Sequence, residues 1–535
     1  SLDDDSDIDL GVTNYFLGTT HHARGDFHKA ISSYSQCIEA KEWETKQLAT
    51  VHNDLGIAYG KVRNFDKAIE SFVHALRIRK TELGNNSLDY GHTVYNLAEI
   101  HRANDKHEQA LNCLTEAIRV YELFPDEMSD KIAAALEMKG DALCSLEDYE
   151  TSISVFQDCV ELLDSLESDK NNEDTSDLEP STACNEQVAR VNRKMGHAFG
   201  KLGEYEEAFD SYREAIRIFS TLVGKNDLSV GEVMYDVGHL IVDQGGNEIC
   251  EKSLEFFSEV IRIYGLHGKG RDLKVADSLF QKSALLADCS EYDEATSLLD
   301  EALDIYKESF DHDAIEIGKA MLLYGRLSDA QGKNDDAMAA FEEALRIFQK
   351  SLGEDDINVS LALSNIGIIH ARKLEYAEAV AKCKRALKIR VMRGDQDQDV
   401  ADSVFNIANI LNDWGEEDEA YQYFQQCLKL YTHLLGEEDI SVANCWQKLG
   451  AIYWNKGEVD HSLQSFLSAL RICEQEDEDN VGNILASVYR GIGDCYYKKE
   501  DYDESLEYFA KCLRIQNLEL GDDCIEMAEP CDFIG

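Results

Sequence analysis

The 535-residue sequence predicts an all-α fold, a right-handed α-solenoid (superhelix) of about twelve helix-turn-helix repeats, on three observations. First, a pattern of the form Ala-x-x-x-Phe/Tyr/Leu-x-x-Ala/Cys recurs, its first position falling at Ala30, Ala68, Ala110, Ser152, Ala208, Ser253, Ala295, Ala337, Ala379, Ala420, Ser462 and Ser505, mostly 41 to 43 residues apart. Second, a small residue stands twelve positions earlier in most repeats, at Gly18, Gly56, Ala98, Gly140, Gly196, Gly325, Gly367, Ala408, Gly450 and Gly493. Third, the chain has only three prolines, as suits continuous helix, since proline in a helix interior costs about 3 kcal/mol.

Each repeat therefore holds two apolar patterns at helical spacing, joined by a short turn such as "KGEVD" or "LGEYE". A small residue flanked by large ones is what two antiparallel helices need where their backbones approach closely. One helix pair cannot bury its own apolar face, so neighbours must stack into a continuous core.

Taken in order, residues 1–10 form an acidic lead-in and 11–164 the first four repeats. Residues 165–186 form an acidic flexible insertion, 187–520 the fifth to twelfth repeats, and 521–535 an incomplete final repeat. The lead-in "SLDDDSDIDL" alternates acids as calcium loops do, but it lacks the glycine at position six and glutamate at position twelve, so Asp5, Asp7 and Asp9 are read as solvated. The insertion contains "ESDKNNEDTSDLEPSTACNE", which is too polar to pack. "DQGGNEICEK" lengthens the turn of the sixth repeat, and "GLHGKGRDLK" matches no phosphate-binding loop.

The formal charge of −52, from 104 acidic against 52 basic residues, repels phosphate backbones and anionic lipid, so neither nucleic acid nor membrane is expected as a partner. The 15 cysteines lie mostly at apolar helical positions without a CxxC pair, as reduced buried thiols do, which points to a cytoplasmic location. The first residue is serine, so a removed targeting segment stays open. No metalloprotease, nucleophile-elbow, phosphate-loop or zinc-ligand motif occurs in a supporting context, and the 15 histidines are dispersed, most of them on helix surfaces or in turns. No catalytic residue, cofactor or metal is expected.

Candidate binding residues follow from the geometry. In such a solenoid the first helix of each pair lines the concave groove, and helical spacing directs the residues two, three and six before the small position, and one and four or five after it, into that groove. In the fifth repeat these are Arg190, Arg193, Lys194, His197 and Lys201, the densest basic patch of the chain. One reading is a socket for an acidic or phosphorylated peptide. The other is that these cations pair with acids on adjacent repeats. Asn96, Asn365, Asn406, Asn409 and Asn444, with Arg102, Lys448 and Arg490 nearby, recur on the same face, and such amides can hold an extended backbone.

Leu55, Gly56, Tyr59, Phe65, Ala68, Phe72 and Ala75, or Leu449, Gly450, Tyr453, Phe466 and Ala469, resemble the tetratricopeptide repeat (TPR) over roughly residues 11 to 520. The longer spacing, with joints such as "LGEEDISVA", is similar to the 42-residue repeats of kinesin light chains, although their His-Pro pair is replaced by "GEDDINV" or "GEEDISV". The resemblance implies a non-enzymatic scaffold or adaptor that binds partner protein segments, extended or acidic, in its groove. The alternatives are a structural subunit of a larger assembly, with self-association through outer faces and ends, and a kinesin-light-chain-like cargo adaptor.

Overall fold

The computed structural model describes residues 10–39, 45–172, 182–245, 249–394, 398–475 and 478–520, and all regular structure in them is helical. The chain divides into two compact units, Ser1–Ser278 and Leu279–Gly535. The first contains α1 (Leu10–Ala23), α2 (Phe27–Glu39), α3 (Thr45–Lys61), α4 (Phe65–Glu82), α5 (Leu88–Ala103), α6 (His107–Tyr121), α7 (Pro125–Ser145), α8 (Tyr149–Asn172), α9 (Thr182–Leu202), α10 (Tyr205–Leu222), α11 (Leu228–Gln244) and α12 (Ile249–Leu266). After α13 (Leu273–Asp288), which crosses the division, come α14 (Tyr292–Ser309), α15 (Ile315–Ala330), α16 (Asn334–Leu352), α17 (Ile357–Arg372), α18 (Tyr376–Met392), α19 (Gln398–Trp414), α20 (Glu417–Leu435), α21 (Ile440–Asn455), α22 (Val459–Cys473), α23 (Glu478–Lys498) and α24 (Tyr502–Leu520). Within each unit, helices pack on their partner in the pair and on the adjoining pair, the neighbour-only contact pattern of an α-solenoid.

The small residue and the aromatic of the sequence pattern are two halves of one contact. A Cβ built on Gly140 would lie 2.2 Å from the Phe156 ring, on Gly325 2.4 Å from Phe341, and on Gly450 2.9 Å from Phe466. Those rings are among the most deeply buried side chains, with Phe156 at 0% exposure. In the sixth repeat the longer turn shifts the register: Gly238, not the residue twelve before Ser253, faces Phe257.

The joints explain the recurring "LG-acid" motif. Gly436, at φ +96°, follows α20 in the left-handed region, where glycine carries no Cβ penalty, and Gly353 does the same after α16. Three residues on, the Asp439 side chain accepts a hydrogen bond from the Ser441 amide at 2.7 Å and caps α21, as Asp356 caps α17 through Asn358 at 2.9 Å. The last acid of the run is thus an N-cap, where it meets the unpaired amides and the positive end of the helix dipole. Asp439→Ala is expected to destabilise the C-terminal unit by about 1 kcal/mol in denaturant unfolding, whereas Asp439→Asn, whose amide oxygen can accept the same bond, should keep most of the stability.

The segment expected as an insertion, 165–186, is entered by helix from both sides, α8 running to Asn172 and α9 starting at Thr182; residues 173–181 lie outside the described residues. Of the histidines, Nδ1 of His21, His52, His101 and His107 is buried. The 1–9 lead-in and the 521–535 segment also lie outside the described residues.

Candidate functional site

The basic patch sits on α9, whose other face is anchored in the core by Val188, Ala189, Val191 and Met195. That anchoring fixes the rotation of the helix and turns Arg190, Arg193, Lys194, His197 and Lys201 to one side. Acids on the flanking first helices meet them. Arg193 forms ion pairs with Glu232 and Asp236 of α11. Lys194 reaches Glu137 and Asp141 of α7, both at 2.8 Å. Arg190 lies 3.2 Å from Glu186 and 3.5 Å from Glu137. Lys274 adds a second cation to Glu232 at 3.4 Å.

The electrostatics follow from these contacts. Burial pushes the Glu137 carboxyl up, but the pull of Lys194 and Arg190 outweighs it and leaves the group below its ordinary value. Burial dominates at Asp141, which is raised despite Lys194. Burial would weaken the Arg193 cation, and Asp236 with Glu232 more than restores it. His197 is lowered, first by burial and then by Lys201, so it is neutral at pH 7 and adds no charge. Lys201 is exposed and makes no ion pair among the described residues.

Lys201 borders a separate, smaller pocket, while Arg190, Arg193, Lys194 and His197, with Asp141, Glu232 and Asp236, line a cavity of about 780 Å³, together with Phe219, Leu222 and Val223 from the end of α10. Apolar wall, carboxylates and cations alternate around it. The pairing of cations with acids on adjacent repeats, the second of the two sequence readings, is what the structure contains, so acids outnumber cations in the lining and there is no concentrated positive charge.

The amide series divides between the two units. Asn96 donates to Asn53 at 3.2 Å on the neighbouring first helix, with Arg102 exposed two turns along α5. In the C-terminal unit Asn365 folds back onto Leu361 O of its own helix at 2.9 Å. Asn406 and Asn409 open onto a smaller pocket of about 380 Å³, beside Arg372, which is paired with Asp329. Asn444 and Lys448 lie half-buried on α21, and Arg490 is exposed on α23.

Sequence reasoning missed two buried guanidinium groups. Arg79 is 6% exposed and Arg390 5% exposed, both eleven residues after the alanine that begins the pattern, where other repeats place Tyr121, Phe219, Phe348 or Tyr431. Arg390 donates to Asp399 O at 2.5 Å and Ser403 Oγ at 3.0 Å; Arg79 donates to Asp89 O at 2.5 Å and to Thr93 Oγ1. Each ties a second helix to the start of the next pair. The available signal was an arginine standing where its repeats write an aromatic.

Among the described residues no group of three side chains could hold a metal ion, and no helix is long and apolar enough to cross a membrane.

A tetratricopeptide repeat model matches residues 47–123, 274–350, 330–391 and 397–475, more than half of the chain, and further models of this repeat match 15–48, 189–221 and 486–517. The Arabidopsis thaliana protein Kinesin Light Chain-Related 2 is 24% identical over 56% of this chain and 43% of its own length, and Kinesin Light Chain-Related 1 of the same plant is 21% identical over 56% and 47%. The chain spans less than half the length of these curated relatives. Among solved structures, one of nearly identical TPR-like repeats from Podosopora anserina is 16% identical, covering 37% of this chain and 95% of its own, with a TM-score of 0.34.

Proposed function

The chain belongs to the tetratricopeptide repeat family, in its kinesin-light-chain-like type, and from that premise we propose that it is a non-enzymatic adaptor holding an extended protein segment against the first helices of its N-terminal unit. Repeats of this family are protein-interaction modules; the segment and the groove are our reading. It rests on one observation above all: the cavity of about 780 Å³ around α9, where paired charges of both signs surround exposed Val223 and the apolar Phe219 and Leu222.

Such a lining suits a segment of mixed charge. A peptide carboxylate can compete with Glu232 for the fork of Arg193, while peptide amides or a lysine can meet the Glu137 and Asp141 carboxylates. Because the cations are already compensated, an all-acidic segment gains little net attraction: each new contact displaces an old one. The bulk of the affinity comes from apolar contact and backbone hydrogen bonds, with charge exchange setting which segment fits.

The test places a photo-crosslinking residue at Val223 in the full chain, incubates it with extract, and maps the products. Crosslinks confined to one linear stretch of a partner are expected, reduced severalfold by Arg193→Gln with Lys194→Gln while the melting curve stays within a few degrees. Equal crosslinking by wild type and variant, or products scattered over folded surfaces, would remove the groove assignment.

A further inference from the structure

A second cleft lies in the C-terminal unit, on the face formed by second helices rather than first. It occupies about 1010 Å³ between α20 and α22. Its floor is apolar: Val442 and Trp446 of α21, Leu428 of α20, and Leu463 and Leu467 of α22, the last 39% exposed.

The rim is basic. Lys429 and His433 on α20 and Arg471 on α22 are all exposed and form no ion pair among the described residues. Lys499 also borders the cleft but is engaged by Asp460 at 2.7 Å, and one further acid, Glu437, lines it. The register shows why these cations are left over. Second helices carry a recurring cation nine residues after the start of the pattern, and in α6, α10, α12 and α16 a glutamate three residues earlier neutralises it: Glu116 with Arg119, Glu214 with Arg217, Glu259 with Arg262, Glu343 with Arg346. In α20 and α22 that glutamate is replaced by Gln426 and Ser468, and Lys429 and Arg471 keep their charge on opposite banks of one cleft. That acid is also missing before Arg77 in α4 and Lys388 in α18, so what sets α20 and α22 apart is that their two cations flank one open apolar floor, in a chain with a formal charge of −52.

We propose that this cleft is a docking site for an acidic amphipathic helix of a partner protein, separate from the groove around α9. Bulky apolar side chains of the helix fill the space over Trp446 and Leu467, and its carboxylates face Lys429, His433 and Arg471. Charge complementarity selects the occupant: Lys429 and Arg471, one on each bank, attract an acidic ligand at short range, and His433 can donate a hydrogen bond to it. The rest of the molecule repels an anionic membrane, which has the same local charge but would have to approach over a large area.

The experiment uses the full chain and two synthetic peptides of about 18 residues, identical in their leucine positions, one with glutamate and the other with lysine on the polar face. Fluorescence anisotropy is expected to show binding of the glutamate peptide alone. Binding should weaken about tenfold in Lys429→Ser with Arg471→Ser, weaken with added salt, and be unchanged in Arg193→Gln with Lys194→Gln. All four substituted residues in these variants lie on helix surfaces, and an unchanged melting curve for Lys429→Ser with Arg471→Ser shows that the fold is retained. The proposal is overturned if the lysine peptide binds equally, or if neither peptide binds. It is also overturned if the rim variant abolishes a concentration-dependent dimer seen in sedimentation, which makes a second copy the occupant, or if anionic vesicles bind and the peptide does not.

Discussion

Gly140→Leu is expected to destabilise the N-terminal unit by about 3 kcal/mol, read as a lower midpoint of denaturant unfolding. The added Cβ alone would meet the Phe156 ring at 2.2 Å, and the ring is fully enclosed, so neither side chain has a free rotamer to move into. Gly265→Ala is the control: it also lies in a helix, α12, but nothing is within 4 Å of its Cβ, so alanine should be neutral or slightly stabilising. Equal destabilisation by both would show that the glycine–ring contact does not set the requirement, since alanine and leucine both favour helix over glycine. The two halves of the contact also make a testable pair, since Gly140→Leu with Phe156→Ala should lose less than the sum of the single changes.

Arg390→Ala should cost a similar amount, about 3 kcal/mol, because it removes hydrogen bonds from a buried cation and opens a cavity beside α19. Arg390→Phe should recover much of that loss. Other repeats hold Phe219 or Phe348 at this register, and the acceptor groups are not orphaned, since Ser403 Oγ itself donates to Asp399 O at 2.8 Å. If phenylalanine proved as damaging as alanine, the guanidinium would be an obligatory tie rather than one of two ways to fill the site.

The periodic part of this molecule was legible in its sequence because it is local. The alanine, the aromatic four residues on and the glycine twelve before it lie within one helix pair, so Gly450 and Phe466 could be paired by counting. The state of the α9 patch was not legible in the same way. Its neutralising partners stand 39 to 57 residues away, on helices one repeat to either side, as the Arg193–Glu232 and Lys194–Glu137 bonds show. Comparing repeats register by register would have found them, since Glu137 and Asp141 occupy groove-facing positions around Gly140. The leftover cations of α20 and α22 are the complementary case. Lys429 and Arg471 look ordinary until the missing glutamates before them are noticed.

The joint also bears on how such a chain grows. Gly436 ends one helix and Asp439 starts the next, so both terminators sit within four residues. A segment cut at one joint and rejoined at another, such as Gly353 to Gly436, carries a complete stop and a complete start and leaves the flanking helices capped as before. Duplication or loss of a whole cassette is therefore a change that demands no repair at its seams, whereas a cut inside a helix would strand unpaired amides and carbonyls on both sides. The near-identity of "LGEDDINVS" and "LGEEDISVA" is what a lineage lengthened in this way would keep.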